Sequence, residues 1–172
     1  MGLNKRLIGA GATASGALTP SENFKAVIYT GNGSARSITG VGFKPDMVWI
    51  KERSAAESHR LFDSTRGATK RLFSDNTNAE STATDSLTSF DTDGFSLGSS
   101  AGINESGQTY VAWCWKSNGG TTSSNTDGSI TSTVQANTDA GFSIATWDGN
   151  GSSGSIGHGL GVAPDMLLVK NL

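Results

Sequence analysis

The sequence predicts an all-β protein, an antiparallel β-sandwich of jelly-roll or lectin-like style built from short strands. Three observations favour this class. Among 172 residues, 23 are glycine and only 35% are hydrophobic. Short runs of alternating apolar and polar residues recur between turn residues. Leucine, alanine, glutamate and lysine do not cluster at helical spacing, so we expect no long amphipathic helix.

Short strands are expected from Phe24 onward. FKAVIYTG alternates, so Phe24, Ala26 and Ile28 are expected on one face and the residues between them on the other. The dipeptide Asp93-Gly94 within SLTSFDTDGFSLG predicts a hairpin. Further strands are predicted in ARSITGVGF, MVWIKER, HRLFDS, TKRLFSD and TYVAWCWK. Together with FKAVIYTG and the two strands of the hairpin, they make about eight.

TYVAWCWK is the most apolar of these segments. Its apolar residues occupy both faces, which predicts a central strand in a sheet that is covered on both sides. Later in the chain, SNGGTTSSNTDGS at 117–129 predicts a linker or a long surface loop. MLLVK at 166–170 predicts another strand.

Two parts of the chain match each other. FKAVIYTGNGSARSI at 24–38 aligns with FSIATWDGNGSSGSI at 142–156, and GFKPDMVWIK at 42–51 aligns with GVAPDMLLVK at 161–170. The offset is 118 residues in the first match (142 minus 24) and 119 in the second (161 minus 42). Matches in the same order, at turn and core positions, predict a repeat of about 118 residues.

The repeat and the composition of the N-terminal residues together divide the chain into four predicted parts. Residues 1–23 form an extended N-terminal arm, because MGLNKRLIGAGATASG has few side chains large enough to bury. Residues 24–116 form the first sandwich repeat, 117–140 a linker with an entry strand, and 141–172 the start of an incomplete second repeat. The incomplete copy predicts either that the chain is the front of a longer one, or that it completes another subunit by strand exchange.

Composition argues against several classes of function. The formal net charge is -2 and there is no extended run of lysine or arginine, so a nucleic-acid surface is not supported. No 18-residue apolar stretch occurs, so membrane insertion is not expected. The single cysteine, Cys114, excludes an internal disulfide and a cysteine-built metal site.

The motifs of catalysis and of cofactor or metal binding are weak. FDTDG resembles the start of a calcium loop at Asp91 and Asp93, but Gly102 stands where the loop needs a glutamate. His59 lies near Ser58 and Asp63, yet no Gly-x-Ser-x-Gly motif is present. We therefore predict no enzyme activity, no metal site and no cofactor.

The four tryptophans, Trp49, Trp113, Trp115 and Trp147, leave two interpretations open. Their apolar neighbours favour packing in the core. Exposed on a surface, they would stack on the rings of a glycan.

Several phrases resemble a β-rich repeat of uncharacterised function that recurs in tail-fibre-like structural proteins of marine bacteriophages, especially those of cyanobacteria. They are GNGSARSITGVGFKPDMVWIKERS, HRLFDSTRGATKRLFS, SFDTDGFSLGSSAGINESGQTYVAWCWK and HGLGVAPDMLLVKN. The opening MGLNKRLIGAGATASGALTPSENF is also similar to the N-termini of such proteins. The resemblance implies a lectin-like sandwich and a place in the virion tail or fibre.

The resemblance also implies partners. We expect the particle-proximal part of a homotrimeric tail fibre, made in the bacterial cytoplasm and assembled onto other phage tail proteins of adaptor or nozzle type. The arm would dock on them by strand addition, through Leu3, Lys5, Arg6, Leu7 and Ile8. The alternative is a carbohydrate-binding module that recognises a host surface glycan.

Overall fold

Nine short strands between residues 24 and 115 form the two sheets of an antiparallel sandwich in the computed structural model, which describes residues 19–172. In chain order they are β1 (Phe24–Thr30), β2 (Arg36–Thr39), β3 (Met47–Glu52), β4 (Arg60–Asp63), β5 (Lys70–Phe73), β6 (Ser81–Thr82), β7 (Leu87–Asp91), β8 (Gly94–Leu97) and β9 (Thr109–Trp115). One sheet has the order β1-β9-β3-β4-β5-β6, and the other has the order β2-β8-β7. The predicted all-β sandwich is confirmed.

The core lies between these two sheets. Val48 and Ile50 of β3 and Phe62 of β4 are fully buried, and they meet Phe95 and Leu97 from the smaller sheet. β3 alternates between buried and half-buried residues, whereas all four residues of β4 are buried. One side of each sheet is apolar and faces the other sheet. A single helical turn, α1 (Ala101–Asn104), and a short 3-10 turn, Pro20–Glu22, are the helical segments of the described residues.

The predicted hairpin is confirmed, with a shift of one residue. β7 and β8 pair directly, and Asp91 lies opposite Gly94. The two-residue loop is therefore Thr92-Asp93, and Gly94 is the first residue of β8 rather than part of the turn. A Cβ atom on Gly94 would lie 2.0 Å from the carbonyl oxygen of Ile38 on β2, which explains why a glycine is needed there.

Strand β9 is central, as predicted, with β1 and β3 as its neighbours. Its alternate residues Tyr110, Ala112 and Cys114 are fully buried in the core. The prediction that both faces are covered is only partly correct, because Trp113 and Trp115 on the opposite face are half-buried. Within residues 19–172 the sandwich has two sheets, and no third layer covers most of the outer face of β9.

A separate three-stranded sheet follows the sandwich. Its strands are β10 (Ser123–Asn125), β11 (Ser132–Asn137) and β12 (Phe142–Trp147), paired antiparallel in that order. The prediction that 117–129 is only a linker or loop is wrong, because β10 forms within it and pairs with β11. β10 contains none of the β-branched or aromatic residues that are enriched in strands, so pairing with β11 rather than local preference creates this strand.

The predicted strand at 166–170 is also wrong, because no regular structure forms there. Met166 and Leu167 are 72% and 73% exposed. A strand exists only when a neighbour satisfies its backbone groups, and no strand in residues 19–172 pairs with this segment. Residues 166–170 therefore have the β-propensity of a strand but no neighbouring strand to pair with in residues 19–172.

The matched segments adopt the same turn geometry. In both Gly-Asn-Gly-Ser turns the asparagine Oδ1 accepts the serine amide: Ser34 lies 2.9 Å from Asn32, and Ser152 lies 3.0 Å from Asn150. The glycines within these turns have φ angles of +70° and +74°. The division of the chain into arm, repeat, linker and second repeat stays a prediction. Residues 1–18, which hold most of the arm, lie outside the described residues.

Candidate functional site

The outer face of the six-stranded sheet carries a row of aromatic rings, named here the aromatic face: Phe24, Trp49, Trp113 and Trp115. The register brings them together, since Phe24 lies opposite Trp115 and Trp49 lies opposite Trp113. The ring centroids are 5.0 Å apart in the first pair and 5.8 Å in the second. Both pairs are tilted or edge-on, which is the favoured geometry for neighbouring aromatic rings.

The structure therefore decides between the two interpretations of three tryptophans. Trp49, Trp113 and Trp115 are half-buried on the outer face and do not belong to the core. Phe24 is 41% exposed, and Ile28, further along the same face of β1, is 70% exposed. Trp147 lies on β12, in the three-stranded sheet. Flat apolar rings that are partly open to solvent can stack on another flat apolar surface, including a sugar ring.

Histidine 59 borders the aromatic face. The Nε1–H of Trp49 donates to Nδ1 of His59 at 2.9 Å, and the two ring centroids are 5.7 Å apart. Because Nδ1 accepts this bond, the histidine proton lies on Nε2. The pair holds the indole of Trp49 in one orientation and adds a polar edge to an apolar surface.

Parts of the following chain cover two ends of the same sheet. Phe142 of β12 stacks on Trp115 with a centroid distance of 6.1 Å and an interplanar angle of 22°. At the other end, Lys170 donates to the carbonyl of Asn76 at 2.7 Å. A narrow groove of about 40 Å³ lies there, lined by Leu61, Leu72, Phe73, Ser74, Leu168, Val169 and Lys170. The central pair, Trp49 and Trp113, lies between these covered ends.

A buried polar junction joins the sandwich to the sheet that follows it. Asp46, in the loop before β3, is fully buried. Its Oδ2 accepts the backbone amides of Ser117 at 2.7 Å and Gly119 at 3.0 Å, and its Oδ1 accepts the hydroxyl of Ser64 at 2.7 Å. One carboxylate thus satisfies two backbone amides of the segment that leaves β9.

Gln135 of β11 completes this junction from the other side and is also fully buried. Its Oε1 accepts the amide of Gly120 at 2.6 Å, and its Nε2 donates to Ser64 Oγ and Thr65 Oγ1, both at 3.0 Å. Buried side-chain amides are costly unless every group is satisfied. The satisfied network therefore fixes β11 and its sheet against the sandwich.

Sequence reasoning did not single out Asp46 or Gln135. The signal for Asp46 was present, because the tripeptide Pro-Asp-Met occurs in both matched segments, at 45–47 and 164–166. The second aspartate, Asp165, is exposed. Gln135 gave no signal of its own, since a glutamine within an alternating strand is ordinary.

The residues that suggested catalysis or calcium binding have structural partners instead. Asp63 forms an ion pair with Arg66 at 2.6 Å and does not hydrogen-bond to His59. Asp91 accepts the hydroxyls of Ser89 and Ser96. In residues 19–172 no group of three or more histidine, cysteine, aspartate or glutamate side chains is arranged to hold a metal ion.

Asp93 holds the loop before β3. Its two carboxylate oxygens accept the amides of Gly40 at 3.0 Å and Gly42 at 2.6 Å. These bonds lower the pKa of the Asp93 carboxyl, and the bond from Gly42 has the larger effect. The opposite shift affects Cys114, since burial in the core raises the pKa of its thiol to about 12.

One predicted site lies outside the described residues, and a further cleft lies within them. Leu3, Lys5, Arg6, Leu7 and Ile8 lie outside the described residues, so their docking role stays a prediction. An open cleft of about 300 Å³ near His158 is lined mainly by glycine and small residues, with Asp127 at its rim. The Asp127 carboxylate already accepts the Asn125 amide at 2.9 Å. Within residues 19–172 no helix is long and apolar enough to cross a membrane.

Comparison with known proteins gives one match. A family described as a domain of unknown function, DUF7483, matches residues 19–172, which is the whole described part of the chain. No curated protein and no solved structure matches. The extent of the match includes the sandwich, the polar junction and the three-stranded sheet, so these occur together within one family domain.

Proposed function

The chain belongs to the DUF7483 family, and we propose that it is a bacteriophage virion structural protein. In this proposal it forms the N-terminal, particle-proximal part of a tail fibre and supports adsorption to the host. The resemblance to tail-fibre-like proteins of marine phages supports the assignment. The physical observation that carries it is the buried junction at Asp46 and Gln135, which connects consecutive β units rigidly.

A fibre must span distance and resist shear without performing chemistry. A flexible serine- and glycine-rich connection between units would bend freely. Here the segment after β9 is held by four hydrogen bonds to its backbone amides, two accepted by Asp46 and two by Gln135. Small sandwiches of this size bury a modest fraction of their surface, so contacts in a homotrimer would add stability.

Immunogold labelling of intact phage particles tests the location. The antibody would be raised against residues 24–116, and pre-immune serum is the control. We expect label on fibres or at their attachment to the tail. Particles that carry no label, while the same antibody detects the protein in infected cells, would contradict the virion assignment.

A deletion tests the proposed anchoring arm. Removal of residues 2–16 is expected to prevent incorporation into particles and to leave the sandwich folded. The docking contacts are assigned to Leu3, Lys5, Arg6, Leu7 and Ile8, and the partners are tail proteins of adaptor or nozzle type. Normal incorporation of the deletion variant would refute the arm's role.

Light scattering of the purified chain measures its molar mass in solution and so tests the proposed homotrimer.

A carbohydrate-binding module is the second candidate, and the aromatic face favours it. Trp49 and Trp113 form a half-exposed pair at the centre of this face. Calorimetry with purified host surface polysaccharide measures binding directly. Under this candidate Trp49→Ala and Trp113→Ala abolish binding, whereas the matched control Trp147→Ala, on another sheet, does not. If the chain is instead a spacer unit of a fibre, neither the wild-type protein nor any of these variants gives a heat of binding with the polysaccharide.

A further inference from the structure

The sequence contains three Asn-Gly dipeptides, at residues 32–33, 118–119 and 150–151. We propose that Asn150 is a site of spontaneous deamidation in the folded protein, and that Asn32 and Asn118 are protected from the same reaction. The product at position 150 is aspartate or isoaspartate, and the co-reactant is water. The inference rests on backbone hydrogen bonds, so it does not depend on the chain being a virion protein.

The reaction needs a free backbone amide in the residue that follows the asparagine. That amide loses its proton to hydroxide, and its nitrogen attacks the side-chain Cγ. The new N–Cγ bond closes a succinimide ring, while the Cγ–Nδ2 bond breaks and ammonia leaves with a proton taken from water. Water then opens the ring at one of its two carbonyl carbons, which gives aspartate or isoaspartate. Glycine in the following position has no side chain to hinder ring closure.

The turn at Asn150 leaves this amide free. Residues 147–155 are exposed, and within residues 19–172 the amide of Gly151 donates to no hydrogen-bond acceptor. Apart from its neighbours in the chain, no atom of the described residues lies within 4 Å of the position that a Cβ on Gly151 would take. The Ser152 amide donates to Asn150 Oδ1 at 3.0 Å. This bond withdraws electron density from the side-chain carbonyl and so favours attack at Cγ.

The turn at Asn32 is the matched case within the same chain. It has the same Gly-Asn-Gly-Ser sequence and an equivalent bond from the Ser34 amide to Asn32 Oδ1, at 2.9 Å. Its asparagine is exposed as well. The difference is that the Gly33 amide donates to the carbonyl of Asn104 at 2.7 Å. An amide in such a bond keeps its proton until the turn opens, so its nitrogen is not available for attack.

Asn118 is protected at both reacting atoms. The Gly119 amide donates to Oδ2 of the buried Asp46 at 3.0 Å, so the attacking nitrogen is held. Nδ2 of Asn118, the leaving group, donates to the carbonyl of Thr121 at 3.1 Å. The side chain of Asn118 is nevertheless exposed, as are those of the other two asparagines. Side-chain exposure alone would therefore make the three sites equal, and the bonds of the following amides distinguish them.

Deamidation at Asn150 changes the charge of the chain without unfolding it. One amide becomes a carboxylate, so the formal net charge of -2 falls by one, to -3. The chain after the turn is held independently, because the amides of Ser129 and Ser155 each donate to the hydroxyl of the other, at 3.1 and 3.0 Å. Before the turn, β12 is paired with β11 along its whole length. The protein therefore acquires negative charge with time at one defined turn.

Incubation of the full chain at pH 8 and physiological temperature tests the proposal. Peptide mapping by mass spectrometry follows the mass gain of an amide-to-acid conversion at the three asparagines. We expect conversion at Asn150 to be faster than at Asn32 or Asn118 by about tenfold or more, which corresponds to the loss of one ordinary hydrogen bond when a protected turn opens. In water enriched in heavy oxygen, the new carboxyl group at position 150 should carry the label.

The denatured chain is the control for local sequence. In guanidinium chloride the amides of Gly33 and Gly151 are both free. Asn32 and Asn150 share the same tetrapeptide and should then convert at similar rates. Native-state hydrogen exchange is an independent readout, with slow exchange expected at Gly33 and Gly119 and fast exchange at Gly151. The variant Asn150→Gln should stay homogeneous in charge, because glutamine closes the corresponding ring much more slowly.

A substitution at Asn104 tests the source of the protection. Its Oδ1 accepts the amide of Asn32 at 3.1 Å, and its Nδ2 donates to the carbonyl of Ser34 at 2.7 Å. Asn104→Ala is therefore expected to release this turn and to raise conversion at Asn32 towards the rate at Asn150. Because Asn104 is fully buried, circular dichroism and thermal melting check that the variant folds. The comparison of the sites in the wild-type chain does not need this variant.

Several outcomes would overturn the proposal. They are equal conversion at Asn32 and Asn150 in the native chain, no conversion at Asn150 in the native chain while it converts in denaturant, and slow hydrogen exchange at Gly151. An unchanged rate at Asn32 in a folded Asn104→Ala protein would contradict the assigned source of protection. Labelling of phage particles does not affect any of these results, so this proposal and the virion assignment can fail separately.

Discussion

Asp46 and Gln135 are linked through a single hydroxyl group. Ser64 Oγ donates to Asp46 Oδ1 at 2.7 Å and accepts from Gln135 Nε2 at 3.0 Å. Asp46 belongs to the sandwich and Gln135 to β11, so this hydroxyl connects the two units at the centre of a buried network. Such a network is stabilising only while every member is satisfied.

Asp46→Ala is expected to destabilise the chain by about 3 kcal/mol, because the buried amide of Ser117, the amide of Gly119 and the hydroxyl of Ser64 lose their acceptor. Urea denaturation followed by tryptophan fluorescence measures the free energy of unfolding. Asp165→Ala is the matched control at the second Pro-Asp-Met, where the aspartate is exposed, and a change within about 0.5 kcal/mol is expected. Equal losses in the two variants would show that the junction is not what stabilises the chain.

Gly94→Ala is expected to cost more than about 2 kcal/mol, since the new Cβ would lie 2.0 Å from the Ile38 carbonyl oxygen. The φ of +149° at Gly94 is also poorly accessible to alanine. Gly107→Ala is the control, because Gly107 has a φ of +84° but nothing within 4 Å of its Cβ position. Thermal unfolding should show the smaller loss for Gly107→Ala, about 1 kcal/mol. The reverse order would contradict the contact with β2.

The thiol of Cys114 should not react in the folded protein. Burial raises its pKa to about 12, so at pH 8 almost no thiolate, the reactive form, is present. We expect negligible reaction with Ellman's reagent at pH 8 in buffer and one equivalent in denaturant. Rapid reaction of the native chain would mean that the C-terminal end of β9, around Cys114, opens to solvent.

Asp93 should make stability depend on pH in the acid range. Its folded-state pKa is lowered by the amides of Gly42 and Gly40. The carboxylate therefore stabilises the fold above the unfolded pKa, about 4, and this contribution is lost as the pH falls through the folded value. We expect wild type to exceed Asp93→Asn in stability at pH 7, with the difference shrinking towards pH 2.

Urea titrations at several pH values measure this difference. Asp148→Asn, which changes the same charge at an exposed site, controls for net charge. A difference between wild type and Asp93→Asn that is the same at pH 7 and at pH 2 would exclude the carboxylate as its source.

Much of the sandwich could be predicted from local sequence. The alternation in FKAVIYTG predicts that Phe24, Ala26 and Ile28 share one face and the residues between them the other, and the structure places Val27 and Tyr29 of the second face against the core. The hairpin at Asp93-Gly94 was predicted within one residue. These features depend on side-chain alternation and on turn residues, which act over a few neighbouring positions.

The candidate sites were less predictable, because they depend on contacts between distant residues. The buried role of Asp46 requires the amides that follow β9 and the side chain of Gln135, which no local pattern connects. The strand β10 was missed for a related reason, since its polar residues are extended only through pairing with β11.

By itself the sequence determined the all-β class, the positions of most strands and the internal match, because these follow from alternation, turn chemistry and repetition. Only the tertiary structure decided that Trp49, Trp113 and Trp115 face outward, because both faces of β9 are apolar and only the position of the second sheet distinguishes them. It also decided that residues 166–170, with the pattern of a strand, do not form one. Strand formation needs a hydrogen-bonded neighbour, and a segment's own residues cannot supply it.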